Sequence, residues 1–102
     1  IDGFACASTN GDIGLEVTPN PANPSTLLIL NLQKRQPLVD ILVFDASGRH
    51  IRSLYYGPME KGRQSVCWDG RDHFERFMAS GAYFFRVSLG KEVLLKRFQV
   101  TR

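Results

Sequence analysis

The sequence predicts an all-β domain built as a sandwich of two antiparallel sheets, and two observations favour this class. Short runs rich in β-branched and aromatic residues alternate with turn-forming residues about every 8–12 positions, a spacing typical of sandwiches and barrels. In addition, no segment carries the apolar stripe of period 3.6 that an amphipathic helix requires. We therefore expect seven strands in a Greek-key order.

Each predicted strand ends at residues that favour turns. Three prolines between positions 19 and 24 end the first strand, because proline lacks an amide hydrogen and restricts the residue before it. Ser47-Gly48 favours a tight hairpin between the third and fourth strands, and Gly90 a turn before the last. The predicted strands are Ile13–Thr18, Thr26–Leu32, Leu38–Asp45, Arg49–Tyr55, Arg63–Asp69, Ala82–Leu89 and Glu92–Thr101.

The alternation of side chains within a strand assigns each residue to the inner or the outer face of its sheet. If Leu28, Leu30 and Leu32 face the core, several apolar residues must face outward. These are Leu27, Ile29, Leu42, Phe44 and Phe84. A free-standing domain does not need so much outward apolar surface. We expect a parent protein or residues 1–12 to cover it, unless one strand is misassigned by a single position.

Composition limits the classes of function. The chain has 102 residues, 43% hydrophobic and 23% charged, as in a soluble globular domain, and no apolar run approaches the roughly 20 residues of a membrane span. Its 13 Lys and Arg against 10 Asp and Glu are scattered, which argues against nucleic-acid binding. We expect a monomer without membrane insertion.

The first residues differ in character from the rest. Residues 1–12, IDGFACASTNGD, are small and polar without a period, which is typical of a linker or the tail of a preceding element. The module proper is then 13–102. Because the chain begins with Ile1 and carries no signal peptide, we expect it to be a piece of a longer polypeptide.

Two cysteines, Cys6 and Cys67, permit one disulfide but do not form a framework, and no CxxC or Cys/His cluster indicates zinc. The sequence favours two free thiols and leaves the pairing open.

Catalytic groups are sparse. His50 and His73 are separated by a strand and a loop, and no serine lies in a G-x-S-x-G setting, so we expect no enzymatic activity. Asp69 and Asp72, with Glu75 and Asp45 nearby, form a weak calcium candidate. Their spacing is not that of an EF-hand, and aspartates in turns usually cap backbone amides, so no cofactor is expected.

Exposed aromatic residues raise a third class, carbohydrate binding. The candidate platform is Tyr55, Tyr56, Phe74 and Phe77. Because adjacent strand residues point to opposite faces, Tyr55 and Tyr56 cannot share one flat surface, which disfavours this function.

Five residues are assigned structural roles instead. Trp68 should anchor the core between the sheets, with Asp69 and Gly70 supplying the following turn. Gly81 lets the chain enter the sixth strand, and Tyr83 is placed for the tyrosine corner of Greek-key sandwiches, in which the hydroxyl bonds to backbone.

The motifs PNPANPST, VFDASGRHIRSL, WDGRD and SGAYFFRV, followed by KRFQV, occur here in an order that resembles the immunoglobulin-like domain family named after the flagellar hook-capping protein. The pattern is equally similar to the C-terminal sorting domains of type IX secretion substrates. The resemblance covers about nine tenths of the chain. It implies an immunoglobulin-like fold, consistent with the strand pattern.

The resemblance also implies a non-catalytic C-terminal module of a larger secreted or surface-attached bacterial protein, acting as a type IX sorting or attachment signal. Its partners would be the secretion machinery or domains of the parent protein. The alternatives are a spacer or docking module beside a catalytic domain, and a hook-cap scaffold. For sorting we expect the last strand, with Phe98, Val100 and Arg102, to be read by main-chain pairing, since a terminal strand exposes its edge.

Overall fold

The computed structural model describes residues 15–18 and 25–101, and in them the chain forms two antiparallel sheets packed as a sandwich. The predicted all-β class is thus confirmed. The strands are β1 Leu15–Thr18, β2 Thr26–Leu32, β3 Gln36–Asp45, β4 His50–Met59, β5 Gly62–Trp68, β6 Gly81–Leu89 and β7 Glu92–Val100.

The strand order is that of an immunoglobulin-like sandwich. One sheet has the order β1-β2-β5 and the other β4-β3-β6-β7. The chain therefore crosses between the sheets after β2, β4 and β5, and these crossings give the Greek-key connectivity. β7 ends the larger sheet, where it pairs with β6 from Glu92 to Val100, and it also contacts β1 of the smaller sheet.

The core lies between the sheets and follows the predicted alternation. Leu28 and Leu30 of β2 contribute from the smaller sheet, and Ile41 of β3 and Phe85 of β6 from the larger one, each with 0% exposure. Trp68, also 0% exposed, lies among them at the end of β5. In β3 and β6 every second residue is thereby removed from water, and this burial drives the sheets together.

β4 is longer than predicted, and ending it at Tyr55 was wrong. It continues through Gly57 and Pro58 to Met59. β4 is an edge strand, so the missing amide hydrogen of Pro58 breaks no interior ladder. Gly57 has a φ of +150°, and the register between β3 and β4 shifts near it, as in a β-bulge.

Several predictions concern positions outside the described residues. These are the start of the first strand at Ile13, the segment 1–12, the proline turn and Arg102. The described residues include no helix long and apolar enough to cross a membrane.

The expectation that both cysteines are free thiols is wrong for Cys67, which is disulfide-bonded. The sequence could not show this, because a pairing between distant cysteines depends on which strands the fold brings together. The chain's other cysteine, Cys6, lies outside the described residues.

Candidate protein-interaction surface

The two histidines, distant in sequence, meet in the structure. His50 opens β4 and His73 lies in the loop after β5, and their rings stack with centroids 6.1 Å apart. His73 Nδ1 lies 3.0 Å from the carbonyl oxygen of Ile51, and His50 Nε2 lies 3.2 Å from Ser53 Oγ. The His73 contact ties the loop to β4. Sequence reasoning missed this proximity because it arises from the path of the loop.

A serine hydroxyl beside an imidazole is the arrangement of a nucleophile and its general base, so we considered whether Ser53 and His50 could act in catalysis. Both side chains are exposed on an edge strand. The neighbours of the His50 ring are Phe44, at 5.6 Å between centroids, and His73. Phe44 has no hydrogen-bond acceptor, and His73 is stacked on the His50 ring, so neither neighbour orients the imidazole as a carboxylate does in a catalytic triad.

The aspartates considered for calcium are engaged by protein donors. Asp72 is buried, and its Oδ1 accepts the amide hydrogens of Phe74 and Arg76 at 2.9 and 3.0 Å. Its Oδ2 accepts from Arg76 Nε at 3.0 Å, and Arg76 Nη2 lies 2.9 Å away. These contacts, led by the Arg76 amide, lower the pKa of Asp72.

Asp45 is held similarly, as a cap of the β3–β4 turn. Its Oδ1 accepts from the Ser47 hydroxyl at 2.7 Å, the Ser47 amide at 3.0 Å and the Arg49 amide at 2.9 Å. The Ser47 hydroxyl contributes most to lowering the pKa of Asp45. Asp69 Oδ1 accepts from the Arg71 amide at 3.0 Å. In the described part of the chain, no group of three His, Cys, Asp or Glu side chains is placed to hold a metal ion.

The candidate carbohydrate platform is divided. Tyr56 is 73% exposed on β4, whereas the adjacent Tyr55 is partly buried against the core. Phe74, 67% exposed, lies in the loop after β5 under the guanidinium of Arg76, whose central carbon is 5.0 Å from the ring centroid. Phe77 in the same loop lies against the guanidinium of Arg71, whose central carbon is 4.5 Å from the ring centroid. On each of these rings an arginine covers one of the two faces on which a sugar could stack.

Residues of the WDGRD and SGAYFF motifs make side-chain hydrogen bonds to the backbone between β5 and β6. Trp68 Nε1 donates to the carbonyl oxygen of Arg71 at 2.9 Å, which closes the turn after β5. Gly70 in this turn has a φ of +84°, a conformation that favours glycine. Tyr83 donates its hydroxyl to the carbonyl oxygen of Ala79 at 2.7 Å, the bond expected of a tyrosine corner. Gly81 is the first residue of β6.

The side chains of β7 divide between the core and solvent. Phe98 and Val100, two of the three residues expected to be read by a partner, are each 1% exposed and belong to the core. Phe98 stacks on Phe85 with ring centroids 4.3 Å apart. Side-chain recognition at β7 would therefore use the opposite face, where Val93 is 53% and Leu95 64% exposed.

Leu95 lies between two apolar cavities that flank β7. One, of about 290 Å³, lies on the outer face of the larger sheet, lined chiefly by Phe44, Phe84, Arg86 and Leu95. The other, of about 410 Å³, is lined by Leu30, Asn31, Leu32, Leu89, Leu94, Leu95 and Lys96. Leu95 lines both, so it separates the two. We call β7 with these two cavities the β7 surface.

Arg86 gives the outer cavity a positive charge. It pairs with Leu95 across β6 and β7, and its guanidinium lies 5.9 Å from the Phe44 ring centroid. Arg97, exposed on the same face, is the strand partner of Phe84. The outer face thus combines apolar side chains with two arginines, a composition suited to protein recognition.

Comparison with known proteins agrees with this architecture. The chain is similar to part of PorZ, described as an essential bacterial surface component of the type IX secretion system of Porphyromonas gingivalis, at 27% identity and a TM-score of 0.60. The match covers 87% of this chain and 12% of PorZ. It is also similar to FlgD of P. aeruginosa, at 25% identity and a TM-score of 0.58, covering 74% of this chain and 58% of FlgD.

Dimeric latent PorU from P. gingivalis shares the fold, with a TM-score of 0.66 at 18% identity over 85% of this chain and 9% of PorU. The chain therefore spans less than two thirds of each of these proteins. No curated protein matches it. The family model for the FlgD Ig-like domain matches residues 20–92, which end at the first residue of β7. With the two-sheet strand order and the motifs from Trp68 to Tyr83, this match shows that the chain belongs to the FlgD Ig-like domain family.

Proposed function

We propose that this chain is a non-catalytic recognition module of a larger secreted bacterial protein, and that the type IX secretion machinery reads it at the β7 surface. The observation that carries the proposal is the position of Leu95, 64% exposed on an edge strand between two apolar cavities. Large apolar side chains at a sheet edge are unfavourable unless a partner covers them.

Strand addition is the mode of recognition that fits this geometry. An extended segment pairing with the outer edge of β7 would gain main-chain hydrogen bonds along the strand. Its alternate side chains point to opposite faces, so one set would approach the outer cavity and the other the leucine-lined cavity. The backbone would then supply affinity and the two cavities specificity. Because Arg86 and Arg97 are positively charged, they favour an acidic residue among the partner side chains that approach the outer cavity.

The family relationship supports a role in secretion or at the cell surface. PorZ, to which this chain is similar, is described as a surface component of the type IX system. This chain corresponds to 12% of PorZ, so the activity of the whole protein is not transferred. From this similarity we propose only that the domain makes protein–protein contacts within that system.

The test is export of a reporter from a bacterium with a type IX pathway. The reporter carries a signal peptide and residues 1–102. Removing β7 would be uninformative, because Phe98 and Val100 complete the core and their loss would unfold the domain. We therefore use Leu95→Asp, which changes the exposed face of β7. The matched control is Tyr56→Asp, on the opposite edge strand and 73% exposed.

We expect the wild-type fusion and Tyr56→Asp to be exported equally and Leu95→Asp to lose about tenfold or more, since a central apolar anchor in an interface contributes about 2 kcal/mol. Thermal melting must show that both variants fold. Equal export of Leu95→Asp would refute reading at β7. Retention of the wild-type fusion in the periplasm would refute the sorting role, and the β7 surface would then be tested for docking on a neighbouring domain of the parent.

A further inference from the structure

A second apolar cluster lies on the outer face of the smaller sheet. It consists of Leu27, Ile29 and Cys67. Leu28 and Leu30 point into the core, so this cluster is on the side of β2 that faces away from the larger sheet. Nevertheless Ile29 is 0% exposed and Leu27 4%. An outer-face residue in a two-layer sandwich reaches such values when a further part of the chain lies over it.

Arg63 gives independent support for a cover. It lies on β5 opposite Asn31, on the same outer face as Ile29. Its Nε and Nη2 atoms are both withheld from solvent. A guanidinium on an uncovered strand face would reach water. On β5 the burial of the outer face therefore includes Cys67 and part of Arg63, whereas Ser65 between them is exposed.

Cys67 identifies the covering segment. It lies opposite Leu27 and is disulfide-bonded, and the chain contains two cysteines. Within one molecule its partner is Cys6. We propose that residues 1–14 form a strap across the outer face of the smaller sheet, locked to β5 by a Cys6–Cys67 disulfide.

The chain is long enough for this path. Leu15 pairs with Leu30, and Cys67 lies one strand beyond β2 and three residues along it. With strands about 4.8 Å apart and a rise of about 3.3 Å per residue, Leu15 and Cys67 are about 14 Å apart. The chain from Cys6 to Leu15 spans up to about 30 Å when extended. The strap therefore reaches Cys67 with length to spare.

Phe4 lies two positions before Cys6 in the sequence, so the segment has a large apolar side chain close to the disulfide.

Closing the strap is an oxidation. The two thiols lose two protons and two electrons as the S–S bond forms, and a disulfide-bearing oxidant accepts them as its own bond is reduced to two thiols. Such oxidants act outside the cytoplasm, where structural disulfides persist. The strap thus forms after the chain leaves the reducing compartment, and it is independent of recognition at the β7 surface.

The first test is peptide mapping of the full chain without reductant. We expect a single disulfide-linked peptide pair that contains Cys6 and Cys67. Free thiols in the oxidised protein, or a disulfide between Cys67 residues of two molecules, would overturn the proposal.

The second test separates covering from cross-linking. Cys6→Ser leaves the sheet unchanged, and Ala7→Ser is the matched control. Without reductant, we expect Cys6→Ser to melt on the order of 10–20 °C below wild type and Ala7→Ser, as the disulfide closes a long loop. Cys6→Ser should also bind an apolar dye and exchange the β2 amides faster. A lower melting temperature with unchanged dye binding and exchange would overturn the covering role.

Discussion

The hydroxyl of Tyr83 offers a clean test of how the sandwich is held together. Tyr83→Phe removes one oxygen atom and the 2.7 Å bond to the carbonyl oxygen of Ala79, and leaves the ring in place beside Trp68. A hydrogen bond contributes about 0.5–1.5 kcal/mol net, and an unpaired buried carbonyl costs about 1–3 kcal/mol. Ala79 is exposed, so water can partly replace the hydroxyl. We therefore expect a loss of about 1 kcal/mol.

Urea unfolding measures this loss directly. With a slope of about 1–3 kcal/mol/M for a small domain, the midpoint should fall by about 0.3–1 M while the slope stays constant. The thermal midpoint should fall by about 4–8 °C. Tyr56→Phe makes the same chemical change at a 73% exposed position and should stay within about 0.5 kcal/mol of wild type. If the two variants were equally stable, the assignment of a tyrosine corner would be refuted.

Two further predictions address β7 and the acidic turns. Phe98→Ala should cost about 3–5 kcal/mol, because the ring is 1% exposed and contacts Phe85, whereas Leu95→Ala should stay within about 0.5 kcal/mol. Equal losses in urea unfolding would contradict the division of β7 into two faces. Asp45 and Asp72 have lowered pKa values in the folded state, so the unfolded chain binds more protons below about pH 4 and stability should fall there as pH decreases. Replacing both aspartates with Asn should reduce this loss of stability at low pH, which is measured as the free energy of unfolding from pH 7 to pH 2.

The strands and the core could be predicted because the relevant signals are local. Alternation places Ile41 and Phe85 on inner faces whatever the neighbouring strand is, and turn residues such as Ser47-Gly48 end strands without tertiary help. The end of β4 was missed for the opposite reason. Pro58 is tolerated because β4 lies at an edge, and a strand's position within its sheet is a property of the whole fold.

The candidate surface was only partly readable from sequence. The last strand was chosen because of its position in the chain, and it does lie at a sheet edge. Which of its side chains meet solvent depends on where β6 and the smaller sheet lie. Hence Phe98 is in the core, and Leu95 lies between cavities whose walls come from β2, β3 and β6. The stacking of His50 and His73 likewise depends on how a loop returns to β4.

The aromatic cluster around Phe98 has a consequence for the order of folding. Trp68 and Phe85 come from strands made earlier, and Phe98, with ring centroids 5.6 and 4.3 Å from theirs, closes the cluster. Until β7 has been synthesised, these rings have no cover on that side. Sandwich contacts are non-local and form slowly. The aromatic cluster of the core is therefore completed only after β7, the last strand, has been made.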